Sequence, residues 1–126
     1  RLTHEPTGIT AMASERRSQE RNRVVAVFRL RVNLALSVRD AWATPSELWI
    51  SRFRNGRIAV NAAHDDFPAM LAEALDALEA HAHDPAATAA ALGCSASQLV
   101  KLLKVEPRAL EAINRARETR GQHALR

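Results

Sequence analysis

The chain has 126 residues, of which 47% are hydrophobic and 25% charged, enough for one domain, or one with a small appendage, around a real core. No apolar run approaches the roughly 18 residues of a membrane span and the start lacks a signal-peptide layout, so a cytoplasmic protein is expected; the single cysteine, Cys94, excludes an internal disulfide and any multi-thiolate metal site. The formal net charge is +4, and it is unevenly spread: residues 1–63 carry eleven arginines against five acids, residues 64–126 seven basic residues against nine acids.

Arg1 to His4 alternates like a strand, Pro6-Thr7-Gly8 makes a tight reversal, and Ile9 to Ala13 returns as a second strand, which predicts a β-hairpin. His4, beside the turn, reads as a packing or hydrogen-bonding residue in preference to a general base. Ser14 suits the cap of a long helix from Glu15 to about Val38. Its apolar residues fall on two stripes: Ala26, Val27, Leu30 and Leu34 should face the hairpin, and Val25, Phe28, Val32 and Leu36 should receive the helices of the second half. Arg29 and Arg31 fall in the seams, with their guanidinium groups reaching outward. Seven arginines lie between Arg16 and Arg39. The guanidinium fork suits phosphate, so a nucleic-acid backbone is a natural partner, and a solvated charged face is the alternative.

Two runs within these elements, Arg1-Leu2-Thr3-His4-Glu5-Pro6-Thr7-Gly8 and Arg17-Ser18-Gln19-Glu20-Arg21-Asn22, stand in an order and at a spacing that resembles the class I peptide chain release factors. The catalytic domain of that family carries Arg-Leu-Thr-His-x-Pro-Thr-Gly and then Arg-Ser-Gln-x-x-Asn. The matching positions are Arg1, Thr3, His4, Pro6, Thr7, Gly8, Arg17, Ser18, Gln19 and Asn22. What the resemblance implies is the rear portion of a domain that promotes peptidyl-tRNA hydrolysis in translational termination or in rescue of stalled ribosomes. Its partners would be the ribosome, through large-subunit rRNA, and peptidyl-tRNA. Arg16, Arg17, Gln19, Arg21 and Arg23, around the helix start, are then the expected RNA-binding residues. The family's Gly-Gly-Gln loop lies upstream of the first run and does not occur in these residues, so no catalytic residue is assigned and this polypeptide is expected to bind weakly and hydrolyse nothing. In the family domain the hairpin belongs to a small sheet whose earlier strands would precede Arg1, and without them an unpaired edge and an incompletely covered helix are expected. With no stop-codon-reading domain visible, the codon-independent rescue type is favoured. Arg120-Gly121-Gln122-His123 has one glycine too few and sits where a helix cap is expected.

Thr44-Pro45-Ser46-Glu47 predicts a capped helix to about Phe53, closed by Asn55-Gly56 and followed by a brief strand from Arg57 to Asn61. A hairpin from Leu48 to Asn61 around Asn-Gly competes with it. The pattern faintly resembles half of an S4-type RNA-binding module. Trp42, Trp49 and Phe53 read as core between the two halves, with base stacking as the alternative. Asp66 and Pro68 open the next helix, with Phe67, Leu71, Ala74, Leu75, Leu78 and Ala82 at helical spacing and Glu73, Asp76 and Glu79 on its polar side. His81 and His83 diverge at its end, and no metal or other cofactor is expected. From Asp84-Pro85 to Lys104 the pattern resembles a helix-turn-helix, with Gly93 at the turn and Ser95-Ala96-Ser97-Gln98 as a capping box; only Gln98, Lys101 and Lys104 suit a nucleic-acid reader. A last helix runs from Glu106-Pro107 to about Thr119.

The expected architecture is therefore α+β: a partial release-factor catalytic domain of β-hairpin and long helix over 1–40, a connecting helix and short strand over 41–64, and a small helical bundle with a helix-turn-helix-like unit over 65–126. The other function class left open is a non-enzymatic RNA-binding or helix-turn-helix regulatory module. The oligomeric state is open, with a monomer as the working expectation.

Overall fold

In the computed structural model residues 1–14 and 18–126 are described, and they form an α+β fold of six helices and two antiparallel two-stranded sheets. The order is β1 (Leu2–His4), β2 (Ile9–Ala11), α1 (Gln19–Ser37), α2 (Glu47–Ser51), β3 (Phe53–Arg54), β4 (Arg57–Ile58), α3 (Phe67–Ala80), α4 (Pro85–Leu92), α5 (Ala96–Val105) and α6 (Pro107–Thr119).

α3 is the centre. Its run of Phe, Met, Leu and Ala is apolar on nearly every side, and eight of its fourteen residues are buried. A helix of that composition needs neighbours around its circumference. They are Val32 and Ala35 of α1 with Phe28 and Leu36 beside them, Trp49 of α2, Ala89 and Leu92 of α4, and Leu99, Leu102 and Leu103 of α5; Ala109 and Ile113 of α6 join the same cluster against α5, and Val25, expected on the second stripe of α1, is half-buried outside it. One continuous cluster thus runs from α1 to α6. Trp49 is 1% exposed and donates its indole N–H to the Leu92 carbonyl at 3.0 Å, so the expected core role holds and the ring's one polar atom is satisfied.

The first hairpin forms as expected, with Leu2 opposite Ala11, Thr3 opposite Thr10 and His4 opposite Ile9. Pro85 and Pro107 each open a helix at the position where a missing N–H is harmless. α4 and α5 meet at 96° across Gly93, whose φ of 80° is the left-handed turn that the sequence pattern requires. Ser95 and Gln98 close the expected capping box. Gly121, at φ 74°, follows the end of α6, and Gln122 N donates to the Arg117 carbonyl at 2.9 Å.

Several boundaries differ from expectation. The cap of α1 is Ser18, not Ser14: Ser18 is extended, its hydroxyl accepts from Arg21 N at 3.1 Å, and the helix begins at Gln19. α2 stops at Ser51 instead of Phe53, because Asn55 (φ 52°) and Gly56 (φ 74°) make a tight two-residue turn that pairs Phe53 with Ile58 and Arg54 with Arg57. The hairpin reading thus holds for 53–58 and the helical one for 47–51. Val27 is 42% exposed and is not covered by the hairpin. Ala82 is outside α3, exposed, with a positive φ of 55°. Asp66 does not cap α3 with its side chain, which is engaged by Arg52.

Polar contacts tie the connecting segment down. Glu73, expected on a solvated face, accepts from Trp42 Nε1 at 3.0 Å, from Ser46 N at 2.8 Å and from the Ser46 hydroxyl. Asp76 pairs with Arg39 at 3.0 Å and accepts from Asp40 N at 3.1 Å. Burial nevertheless pushes the Asp76 carboxyl up and the Arg39 guanidinium down. Desolvation outweighs the pairing, so this ion pair fixes position more than it stabilises. Replacing Glu73 with Ala should lower the unfolding free energy by about 2 kcal/mol, the value of a few charge-assisted hydrogen bonds less residual solvation, as measured by urea denaturation.

His83 is strained and incompletely satisfied. Its φ is 62°, its Nδ1 is buried without a partner, and burial followed by Arg120 and Arg117 pushes its pKa down from 6.5. Because the folded value lies below the unfolded one, the unfolded chain binds the extra proton. Stability is therefore full above about pH 6.5 and declines as pH falls through the folded value. His83→Asn, whose side chain tolerates positive φ, should flatten the slope of unfolding free energy against pH between the ordinary histidine value and the acid range.

Candidate nucleic-acid interface

The first two turns of α1 project beyond the common core, whose members from this helix begin at Phe28. Ser18 O accepts from Asn22 N at 3.1 Å, which closes the first turn. Ser18, Gln19, Arg21 and Arg23 are exposed and Asn22 is half-buried. Two of the expected RNA-binding residues, Arg16 and Arg17, lie outside the described residues.

The described part of the set does not form one face. Successive residues of an α-helix are separated by about 100°, so Gln19 and Arg23 stand one above the other while Arg21 points to nearly the opposite side. Arg31, two turns beyond Arg23 and exposed, falls about midway between Arg23 and Arg21 around the helix. Between these arginines lie Val24 and Val27, which with Met12 from the end of the hairpin are exposed hydrophobics. They line an open groove of about 1030 Å³ whose far wall is Glu106 and Arg108. Sequence reasoning placed Arg31 in a seam and Val27 under the hairpin. The signal for the actual arrangement is the spacing of Arg23, Val27 and Arg31 at successive turns.

The two signature runs are also held apart. His4 Nδ1 and Thr7 Oγ1 are hydrogen-bonded at 2.8 Å, Gly8 N donates to the His4 carbonyl at 2.7 Å, and Ile9 N reaches Thr7 Oγ1 at 3.3 Å. His4 and Thr7 thus lock the reversal, with exposed Pro6 at its corner and Gly8 at φ 73°. Arg1 and Thr3 are exposed on the first strand. The turn shares a small cavity with Leu34 and Val38, at the far end of α1 from Ser18. Since α1 has nineteen residues, the motifs are separated by roughly 28 Å.

Three side chains seat the hairpin. Asn33 Nδ2 donates to the Thr10 carbonyl at 2.9 Å, Arg29 Nη1 donates to the Met12 carbonyl at 2.8 Å, and Asn33 Oδ1 accepts from Arg108 Nη1 at 3.1 Å. Arg108 is in turn held by Glu106 at 2.9 Å. The hydrogen bond from Arg108 pulls the Glu106 carboxyl down, and that bond holds the guanidinium up. Arg39 and Arg108 are therefore neutralised locally. Among the described residues no carboxylate pairs with Arg21, Arg23 or Arg31. Arg21, Arg23 and Arg31 therefore leave α1 with unpaired positive charge on its exposed sides.

Burial pushes the Cys94 thiol up and keeps it protonated. Among the described residues no three His, Cys, Asp or Glu side chains converge on a metal site, and no single helix is long and apolar enough to cross a membrane. No protein-family description, curated protein or solved structure matches the chain.

Asn33 is the link common to hairpin and α6. Asn33→Ala should cost about 1–2 kcal/mol and, in hydrogen exchange, remove protection from the amides of 2–11 while those of α3 keep theirs.

Proposed function

We propose that this chain is a release-factor-like protein that binds the ribosome and belongs to the machinery of translational termination or rescue of stalled ribosomes. The reading is supported above all by one observation: the hairpin built from the first signature run is seated on the very helix that opens with the second. His4 and Thr7 give that hairpin its turn, Asn33 and Arg29 fix it against α1, and Ser18 sets where the helix begins. The signature residues act here as framework, which is what a domain needs in order to hold a loop at a set distance from an RNA surface.

The binding element is the exposed N-terminal part of α1. The positive end of the helix dipole favours an anion there, and Arg21 and Arg23 add charge on different sides of the helix. Large-subunit rRNA is the proposed polyanion, with peptidyl-tRNA as the substrate of the process. Hydrolysis in this family is promoted by a Gly-Gly-Gln loop, which these 126 residues do not contain. The contribution of the chain is therefore docking and positioning. A helix-turn-helix DNA reader is the second reading, favoured by the 96° crossing of α4 and α5. Against it, Gln98 has both ends of its amide engaged, one by Ser95 N and the other by the Gly56 carbonyl, and is not free for a base edge.

Changing Arg16, Arg17, Arg21 and Arg23 to Glu should reduce cosedimentation with large ribosomal subunits at least about tenfold, with a native circular dichroism spectrum and a shallower salt dependence. Undiminished cosedimentation of that variant would overturn the assignment.

A further inference from the structure

The second hairpin and α5 make a cationic surface separate from α1. β3 and β4 present Phe53 and Ile58, half-buried, on one face and the cross-strand pair Arg54 and Arg57, both exposed, on the other. Like charges directly opposed across an antiparallel pair repel. Neither arginine has a carboxylate partner or a side-chain hydrogen bond among the described residues, so nothing in the fold offsets that repulsion. The turn between them does not swing free: Gln98 Nε2 donates to the Gly56 carbonyl, and Gln98 Oε1 is itself fixed by Ser95 N within the capping box. This clamp sets the arginine pair beside α5. Arg57 and Lys101 line one cavity of about 300 Å³, with Ile58, Val60 and Leu102 as its floor. The exposed side of α5 carries Lys101 and then Lys104, which stands at the border of the patch because it also lines a groove with Glu111 and Glu118. Glu106, the next acid along the chain, is taken up by Arg108.

We propose that Arg54, Arg57 and Lys101 form a second docking surface, for the phosphate backbone of double-helical RNA. An RNA backbone supplies what the fold withholds, closely spaced negative charge opposite a fixed pair of guanidinium forks. Gln98, the amide side chain of α5 beside the pair, is consumed by the clamp and takes no part in reading sequence. Sequence-independent contact with backbone is how double-stranded RNA is commonly recognised. The charge and the clamp stand independently of α1; the choice of RNA over DNA rests on the ribosomal reading.

Two variants separate the ideas. R54Q/R57Q/K101Q alters only exposed side chains and relieves the arginine repulsion, so its melting temperature should stay level or rise. Its affinity for a fluorescein-labelled RNA duplex of roughly 16 base pairs, followed by anisotropy between about 50 and 200 mM salt, should fall at least about tenfold with a flatter salt dependence. R21E/R23E should leave that duplex-binding loss measurable on top of its own effect. Duplex binding by the triple variant equal to the parent chain overturns the second surface, and if R21E/R23E has meanwhile lost cosedimentation with ribosomes, the α1 reading stands without it. Loss in the triple variant with intact cosedimentation of R21E/R23E leaves the second surface and removes α1. Tighter binding of the parent chain to a DNA duplex of the same sequence than to the RNA overturns the assignment to RNA.

Discussion

The burial of α3 is the constraint on which the rest of the structure depends. A fourteen-residue helix with Met70, Leu71, Ala74, Ala77 and Leu78 fully excluded from water cannot stand at the edge of anything. Burying a Leu or Met side chain is worth roughly 1.5–3 kcal/mol, so this one helix outweighs any surface ion pair in the molecule. Its demand for cover explains why α1 has a second apolar stripe, why α2 brings a tryptophan inward, and why α4, α5 and α6 fold back in quick succession. The accessory helices and the hairpin-bearing helix share this cluster, which makes the orientation of α1 a property of the whole chain.

The same helix determines where charge goes. Two of its three acids are drawn in from solvent, Glu73 gathering Trp42 and Ser46 and Asp76 gathering Arg39 and the Asp40 amide, while Glu79 is exposed. Carboxylates spent on the connecting segment are not available to arginines elsewhere. Glu106 is likewise held by Arg108, and Asp66 by Arg52. Among the cations without a carboxylate partner in the described residues are Arg21, Arg23 and Arg31 on α1, and Arg54, Arg57 and Lys101 around the second hairpin. The modest net charge of +4 thus combines a locally neutralised framework with unpaired surface cations, some of them gathered on these two elements.

Much of this was legible in the residues, and the failures have local causes. The first hairpin followed from Pro6-Thr7-Gly8, the limits of α4 to α6 from Asp84-Pro85, Gly93, the Ser95 box and Glu106-Pro107, because each signal acts over three or four residues. The start of α1 was misplaced by one helical turn because Ser14 and Ser18 are equally good caps and the residues between them are polar. α2 was drawn too long because Asn55-Gly56 was weighed as a helix stop when its two positive φ angles made it a hairpin turn. Ala82 and His83 in the left-handed region were invisible, since neither residue type announces that conformation; His83 N reaching Leu78 O at 2.8 Å draws the chain there. The partners of Glu73 and Asp76 lie about thirty residues away, beyond any periodicity argument. For α1, composition and spacing placed Arg21, Arg23 and Arg31 on the helix, and their exposure followed only once the neighbours of the helix were known.

These separations bear on how the chain would meet a polyanion. Arg23 and Arg31 flank exposed Val24 and Val27 beside a groove, a surface that combines charge with uncovered apolar area. Such a face gains from counterion release at its arginines and, once a partner covers it, from its apolar area as well. The Arg54–Arg57 pair stands on a turn held by Gln98, and the apolar side chains beside it, Ile58, Val60 and Leu102, line a smaller cavity of about 300 Å³. The first surface therefore suits a contact in which a shaped partner fills the groove, and the second a contact with backbone charge. A partner that engaged both would be read by the angle between α1 and α5, and that angle is set by the packing of both helices on α3.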